Sequence, residues 1–283
     1  MPALTQLKEE LIDITTMKSI TSALTEASAG RIKKIRDQFE RNVKIYYEIS
    51  HIYHLVRISA FKMKIEEKIE LPKLDLKTLS VAMTSNQRFY GAVNTNVMRT
   101  FINNAQQGKT ELMVIGLTGQ GYMQSSGFGK QFESVTFTKD IPNIEEAKSF
   151  IEKTQNFDSV IIYYPKFVSL VNQTIGTSDI TQAKVSDEKE NQEIKILFEP
   201  ELPKILDFFN RQVRSLLFLR VMLETDLSLT AARLLSMSAA EERSDELVKE
   251  KKTEISRVTS SFINAQLLET FSSIKLWDNQ EEF

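Results

Sequence analysis

Two short segments contain residue types that could bind phosphate. Gly108-Lys109-Thr110 matches the end of a phosphate-binding loop, but that loop needs a glycine five residues before Gly108, where Asn103 stands. The loop also follows a strand, whereas this segment precedes one. Gly116–Gly121 does follow a predicted strand, as a dinucleotide-binding loop does, but Gln124 replaces the third glycine of that pattern. We interpret neither segment as a nucleotide-binding loop, and the second as an ordinary tight turn.

Two histidines offer the residue type for a metal site. His51 and His54 are three residues apart on a predicted helix, but no acidic residue lies one turn from both. We therefore interpret them as surface or interface residues. The chain contains no cysteine, which excludes disulfides, thiolate catalysis and Cys-based zinc sites. We predict no catalytic residues, no cofactor and no metal site, and hence a chain that is not an enzyme by itself.

Any site would have to be positioned by two long terminal helices and a compact middle segment. Eight of the nine glycines lie between Gly91 and Gly176, and no proline occurs between Pro2 and Pro72 or after Pro203. Glycine and proline are the strongest helix breakers, so both ends of the chain are predicted to be helical. Apolar residues recur at helical spacing in both ends, beginning with Leu4, Leu7, Leu11, Ile14 and Met17 and with Ile205, Phe208, Phe209 and Val213.

Two helices of this length cannot each bury an apolar face alone. We predict that residues 1–70 and 203–276 pair as an antiparallel two-helix coiled coil. At about 1.5 Å per residue, ~70 helical residues extend roughly 100 Å, which suits a lever, a spacer or a shaft.

The middle segment, residues 75–198, is predicted to form a Rossmann-like α/β domain. Strands are predicted at 79–83, 111–115, 135–137 and 158–164, with helices at 94–107 and 144–154. This alternation favours a mostly parallel sheet, to which 174–182 and 194–197 are predicted to add an antiparallel edge. The fold class predicted for the whole chain is α/β plus long helices.

The composition excludes several classes of function. A net charge of −2 gives no basic field for nucleic acid. No stretch approaches the ~20 apolar residues that a membrane span needs. Residues Met1–Glu10 do not have the apolar segment of a secretory signal. We therefore expect no nucleic acid partner.

Three local motifs carry a resemblance to a known family. Residues 20–34, ITSALTEASAGRIKK, align with the family motif ITKAMKMVAAAKLRR. Residues 84–94, TSNQRFYGAVN, align with TSDRGLCGGYN. Phe198-Glu199-Pro200 is followed by residues 231–240, AARLLSMSAA, which align with the start of AARMTAMDNATDNA. Together with the predicted architecture, the order and spacing of these motifs resemble the gamma subunit of F-type ATP synthases, the central rotor shaft.

The chain departs from the family motifs at several positions. Ser22 and Thr25 stand where the family has lysines, and Glu26 stands where it has methionine. Near the C-terminus, Ile263 keeps the isoleucine of the family pattern RQ-x-x-IT-x-E, and little else of that pattern remains. These departures leave two alternatives open, the main ATP synthase and a paralogous rotary ATPase with its own matched partners.

The resemblance implies that the chain transmits torque in a rotary motor. Its partners would be the alpha and beta subunits of a catalytic hexamer, an epsilon-like subunit and the membrane ring of the ion-translocating sector. The chain would be peripheral on the cytoplasmic face of a membrane, as in bacteria, with residues 1–20 and 262–283 in the bearing. The implied hexamer contacts are Ile20, Thr21, Ala23, Arg31, Lys33, Lys34, Arg36, Ile263, Gln266 and Glu269, and the implied central-domain loop contributes Asn86, Arg88, Gly91 and Asn94.

Two other interpretations compete with the rotor. A non-motor coiled-coil scaffold would use the α/β domain to bind a partner and would form a stable homodimer. An α/β enzyme with a helical oligomerisation hairpin would need a pocket with a perturbed acid or base, and the sequence offers no candidate.

Overall fold

The computed structural model describes residues 2–67, 77–107, 110–140, 142–181 and 202–278. Two long helices, α1 (Pro2–Glu67, 66 residues) and α5 (Leu202–Asp278, 77 residues), precede and follow a five-stranded mixed sheet in the sequence. This confirms the predicted combination of long terminal helices and a central sheet. Pro203 lies in the first turn of α5, where its missing N–H costs no helical hydrogen bond.

The chain divides into two compact units, and both long helices run through both of them. One unit consists of residues 1–27 and 234–283, and the other of residues 28–233. The domain bounds expected from the sequence, 1–70, 75–198 and 203–276, stay a prediction. The edge strand expected at 194–197 lies outside the described residues.

In the unit of residues 1–27 and 234–283, two ion pairs join α1 to α5. Lys18 Nζ lies 2.6 Å from Asp245 Oδ1, and Lys251 Nζ lies 2.8 Å from Glu10 Oε2. The earlier residue of α1 pairs with the later residue of α5, so the two helices run in opposite directions here. The hydrogen bond and positive charge of Lys251 hold the pKa of Glu10 below its ordinary value.

In the unit of residues 28–233, the sheet contains β1 (Thr78–Met83), β2 (Glu111–Ile115), β3 (Glu133–Val135), β4 (Ser159–Phe167) and β5 (Gln173–Asp179). The strand order is β3-β2-β1-β4-β5. The first four strands are parallel, and β5 pairs antiparallel with β4. Helices α2 (Val93–Gln107), α3 (Leu117–Ser125) and α4 (Ile144–Thr154) connect the parallel strands.

The observed elements differ from the sequence predictions in two places. The strand expected at 135–137 is found at Glu133–Val135, two residues earlier. The glycine-rich segment after β2, expected to be only a tight turn, instead begins helix α3. Its glycines weaken helix propensity, but Gly119 is required there, because a Cβ would lie 2.6 Å from Thr84 Oγ1 and 2.7 Å from Val114 Cγ1. Tertiary packing thus outweighs local propensity.

Both faces of the sheet are covered, as expected for strands that are buried along their length. Val81 and Met83 of β1 belong to a core cluster shared with α4, α5 and α1, in which the Phe150 and Phe218 rings stack with centroids 4.3 Å apart. Ala82 lies between those two residues in the strand and joins the opposite cluster, formed mainly with α2. The alternation follows from the two-residue period of a strand.

One segment of α5 is buried on all sides. Every residue from Val221 to Ala232 is buried, whereas a surface helix buries only one stripe. The segment includes the charged residues Glu224 and Asp226, which are only 6% exposed. These two carboxyl groups therefore need partners inside the fold.

Gly116 permits a close backbone approach that a substitution would disrupt. Its φ of +97° favours glycine, and a Cβ there would lie 2.4 Å from the Thr84 carbonyl oxygen. Gly116→Ala is expected to lower the free energy of unfolding by more than about 2 kcal/mol. The measurement is denaturant unfolding of the isolated chain.

Gly121→Ala provides the matched control within α3. A Cβ at Gly121 meets nothing within 4 Å, so alanine should leave stability unchanged or raise it by up to about 1 kcal/mol. Equal losses in the two variants would contradict this account of Gly116.

Candidate functional site

Helix α3 begins in the glycine-rich segment after β2, and the amide groups of its first turn are already bound. The N–H of Leu117 donates to Asn86 Oδ1 over 3.1 Å, and that of Gly119 donates to Thr84 Oγ1 over 2.9 Å. The N–H of Thr118 donates to the Ser85 carbonyl oxygen over 3.1 Å. The loop after β1 therefore supplies the oxygens that an anion would otherwise supply.

Asn86 links three loops at the carboxyl edge of the sheet. Besides accepting from Leu117, its Nδ2 donates to the Phe137 carbonyl oxygen over 2.7 Å. Its backbone N–H donates to Asp140 Oδ1 over 2.7 Å. The structure thus gives this residue of the implied central-domain loop a positioning role within the domain.

Arg233 of α5 connects the same loop to the long helix. Its Nη2 donates to Gln87 Oε1 over 2.6 Å and to the Tyr90 hydroxyl over 2.5 Å, and its guanidinium lies 4.3 Å from the centre of the Tyr90 ring. Tyr90 in turn donates to Asp140 Oδ2 over 2.6 Å. Burial and then the bond to Asp140 raise the pKa of Tyr90 above its ordinary value, so it stays a neutral donor.

The predicted basic cluster of α1 is divided between internal and external roles. Arg31 Nη2 donates to both carboxylate oxygens of Asp226, at 3.2 and 3.3 Å. Arg36 lies with its guanidinium carbon 5.9 Å from the centre of the Phe167 ring. Lys33 and Lys34 are exposed. Two of the four cations therefore have contacts within the unit.

The remaining predicted contacts differ in exposure. In the unit that contains both helix ends, Ile20 and Ile263 are 56% and 50% exposed, and Ala23, Gln266 and Glu269 are exposed. Thr21 is buried and donates to the carbonyl oxygens of its own helix. In the unit of residues 28–233, Arg88 is exposed, Gly91 has a φ of +56°, and buried Asn94 donates to Ser85 Oγ. The hexamer contacts implied for the helix residues, and the central-domain loop implied for Arg88, Gly91 and Asn94, stay predictions.

Sequence reasoning missed Asp140, Asp226 and Arg233 as positioning residues. Glu224, Thr225 and Asp226 together interrupt an apolar run of α5, and this interruption is the signal that could have identified Asp226. Asp140 and its partners are 50 or more residues apart in sequence, so no local pattern could have connected them.

Among the described residues, no three His, Asp or Glu side chains gather as metal ligands. Within the same residues, no helix is long and apolar enough to cross a membrane. Of the earlier candidates, Gly108 and Lys109 lie outside the described residues, and His51 is exposed.

The ion pair between Arg31 and Asp226 predicts a pH-dependent stability difference. Burial raises the pKa of Asp226 above its ordinary value, and Arg31 opposes that rise. Removing the guanidinium by Arg31→Met raises the pKa further and leaves a buried charge uncompensated at neutral pH. Because Arg31 is 54% exposed, the expected loss is about 1–2 kcal/mol near pH 7.

The direction of this pH dependence follows from proton uptake by the folded state. An acid whose folded pKa lies above its unfolded pKa loses stability as pH rises through that window. The free energy of unfolding that Arg31→Met loses relative to the parent chain should therefore become smaller as pH falls through the folded pKa of Asp226. Unfolding curves measured from about pH 7 to about pH 4, with exposed Lys33→Met as control, test this. A deficit that does not change with pH would overturn it.

Known proteins resemble this chain over almost its whole length. The sequence model of the ATP synthase family matches residues 3–275. The ATP synthase gamma chain of Pelagibacter ubique (strain HTCC1062) is 26% identical over 293 residues, covering 96% of this chain and 98% of that relative. The ATP synthase gamma chain of Clostridium novyi (strain NT) is 23% identical over 272 residues, covering 93% and 94%.

Solved structures share the fold. A chain from the central stalk and c-ring of Tetrahymena thermophila mitochondrial ATP synthase superposes with a TM-score of 0.58 at 17% identity, covering 78% of this chain and 99% of that one. A chain from the OSCP, F1 and c-ring assembly of Euglena gracilis mitochondrial ATP synthase gives 0.57 at 16% identity, covering 90% and 97%. Since the family match spans residues 3–275, this chain belongs to the ATP synthase gamma-chain family.

Proposed function

We propose that this chain is the central rotor shaft of an F-type ATP synthase or of an F-type-like rotary ATPase. It transmits torque between a hexamer of alternating alpha and beta subunits and an epsilon-like subunit with the membrane ring. Its terminal helices form an antiparallel coiled coil and its central domain is Rossmann-like. The chain is a non-catalytic subunit, peripheral on the cytoplasmic face of a membrane.

The observation that best supports the proposal is the exposure of the C-terminal part of α5. Every residue from Ser260 to Ser272 is exposed. Five of them are large and apolar, and they are 48–68% exposed: Phe262, Ile263, Leu267, Leu268 and Phe271. An apolar patch of this density on a soluble protein marks a surface that a partner covers.

The distribution of these side chains around the helix indicates the shape of the partner. At about 100° per residue, the five positions spread over roughly two thirds of the circumference. A single partner helix would cover only a narrow stripe, so a socket or sleeve fits better. A ring of alpha and beta subunits around the helix end supplies such a sleeve.

The same unit exposes apolar residues on α1. Ile12, Met17 and Ile20 are 64%, 62% and 56% exposed. Exposed apolar residues on both helices suit a shaft end enclosed by the hexamer, in agreement with the bearing expected for residues 1–20 and 262–283. Residues 279–283 lie outside the described residues.

The mechanism follows from the asymmetry of the shaft. Each beta subunit meets a different face of α1 and α5, so the contact free energy differs among the three. A contact that favours one nucleotide state shifts its population, as a ligand does. Moving a two-state equilibrium from 1:99 to 99:1 takes about 5.5 kcal/mol of differential contact energy, which burial of a few side chains of this size can supply.

Co-expression tests the proposed function directly. This chain carries a tag and is expressed with the alpha and beta subunits of the same source, and the purified material is analysed by size exclusion and an ATPase assay. One copy per three alpha and three beta subunits, with ATPase activity that falls when this chain is omitted, is expected. Elution as a homodimer beside an equally active hexamer would instead favour a scaffold.

The apolar end of α5 should matter for assembly and not for folding. Leu267→Ser, Leu268→Ser and Phe271→Ser together remove exposed side chains, so the unfolding midpoint of the isolated chain should hardly change. Loss of three buried contacts in the complex should weaken hexamer binding by at least about 100-fold. The measurement is the dissociation constant of the chain for surface-immobilised hexamer. Ser260→Ala with Ser261→Ala is the control, and unaltered binding of the triple variant would refute the sleeve.

A further inference from the structure

One residue of the loop after β1 has a backbone conformation that its side chain does not favour. Phe89 has a φ of +74°, in the left-handed region that residues with bulky side chains rarely adopt. Its side chain is 62% exposed, so burial of the ring does not compensate for the strain. A strained residue of this kind persists only where surrounding contacts hold it in place.

Asp140 holds the loop of residues 86–91, which we name the latch loop. Its Oδ1 accepts the N–H groups of Asn86 and Gln87, over 2.7 and 3.3 Å. Its Oδ2 accepts the Tyr90 hydroxyl over 2.6 Å. The carboxylate thus fixes the backbone at the start of the latch loop and a side chain near its end.

Arg233 holds the latch loop from α5. Its Nη2 donates to Gln87 Oε1 and to the Tyr90 hydroxyl, and its guanidinium lies over the Tyr90 ring. This position is not fully favourable, because Arg233 Nε is buried and has no hydrogen-bond partner among the described residues. The contacts of Arg233 and Asp140 therefore offset two unfavourable features, this unpaired donor and the strain at Phe89.

The latch loop packs on α5 through a small apolar cluster of its own. Tyr90 of the loop and Val93 at the start of α2 pack with Leu229 and Ala232 of α5. This cluster is separate from the two larger cores on the faces of the sheet. A region with few buried contacts can open locally while the rest of the fold stays intact. Release of the latch loop would therefore disturb little of the domain.

Arg233 is also the last residue of α5 within the unit of residues 28–233. The helix continues beyond it to Asp278. A rotation or shift of α5 at this point would move the guanidinium relative to Gln87 and Tyr90. Hydrogen bonds weaken steeply with distance and angle, so the latch loop is sensitive to such a movement.

We propose that the latch loop has two states and that Arg233 engages one of them. In the engaged state, seen in this structure, Phe89 keeps its left-handed φ and presents its ring to solvent beside exposed Arg88. When Arg233 withdraws, Phe89 changes to a negative φ and the loop rearranges. The latch thus couples the position of α5 to the surface that Arg88 and Phe89 present. It is a property of the chain alone and does not depend on the proposed rotor function.

The first test removes the guanidinium by Arg233→Met in the isolated chain. The amide hydrogens of Asn86 and Gln87 are expected to exchange at least about tenfold faster, because a released loop exposes them. Those of β2 and β4 should stay as protected as in the parent chain. The backbone chemical shifts and couplings of Phe89, measured by NMR, should change to those of a negative φ. Arg243→Met, which removes an exposed cation of the same helix, is the control.

A matched pair of substitutions at Phe89 isolates the strain. Phe89→Gly and Phe89→Ala both remove the exposed ring, but only glycine adopts a positive φ without strain. In both the parent and the Arg233→Met chains, Asn86 and Gln87 are expected to exchange severalfold more slowly with glycine at position 89 than with alanine. A purely structural role of Arg233 would give the two substitutions the same effect.

Three results would overturn the latch. One is an Arg233→Met chain in which Phe89 keeps its left-handed φ and the exchange rates are unchanged. Another is faster exchange that extends to β2 and β4 with a lowered unfolding midpoint, because Arg233 would then stabilise the fold as a whole. The third is equal exchange in the two Phe89 variants, which would show that strain does not drive the release.

Discussion

The continuous burial of α5 between Val221 and Ala232 is the constraint on which the domain depends. A helix enclosed on all sides must match its neighbours along its whole circumference, and each polar group on it needs a partner. Glu224 accepts a hydrogen bond from Tyr164 of β4 over 2.9 Å, and Asp226 is paired with Arg31 of α1. The two carboxyl groups thereby tie the sheet and the first helix to one segment of the last helix.

Burial also makes the charged forms of these two carboxyl groups unfavourable. Desolvation raises the pKa of both Glu224 and Asp226 above the ordinary value, against the opposing effects of Tyr164 and Arg31. Replacing a whole buried pair with well-packed apolar residues costs little stability, whereas removing one member leaves an uncompensated buried charge. Pairs of this kind therefore select one arrangement of helix and sheet more than they stabilise it. The rotor function that we propose would benefit from a single defined arrangement of α5.

The sequence predicted the elements well where a local pattern determines them. The distribution of glycine and proline predicts both long helices, and β-branched runs predict β1, β2 and β4 closely. Helix α3 was missed because Gly119 lowers local helix propensity. Position 119 needs glycine because Thr84, 35 residues earlier in the sequence, lies against it. The inward role of Arg31 was missed for the same reason, since Asp226 is 195 residues distant. Patterns of spacing cannot show which of four neighbouring cations has a buried partner.

The central sheet has the strand order β3-β2-β1-β4-β5, and the glycine-rich segment after β2 partly matches the sequence of a dinucleotide-binding loop. Fold alone does not imply that function, because function depends on the groups available at the site. Here Thr84, Ser85 and Asn86 accept the first three amide hydrogens of α3. The loop that carries these oxygens is held by Asp140 and, through Gln87 and Tyr90, by Arg233 of α5. The amides that could bind an anion are thus taken up within the domain, and the same loop is connected to α5 by the hydrogen bonds of Arg233.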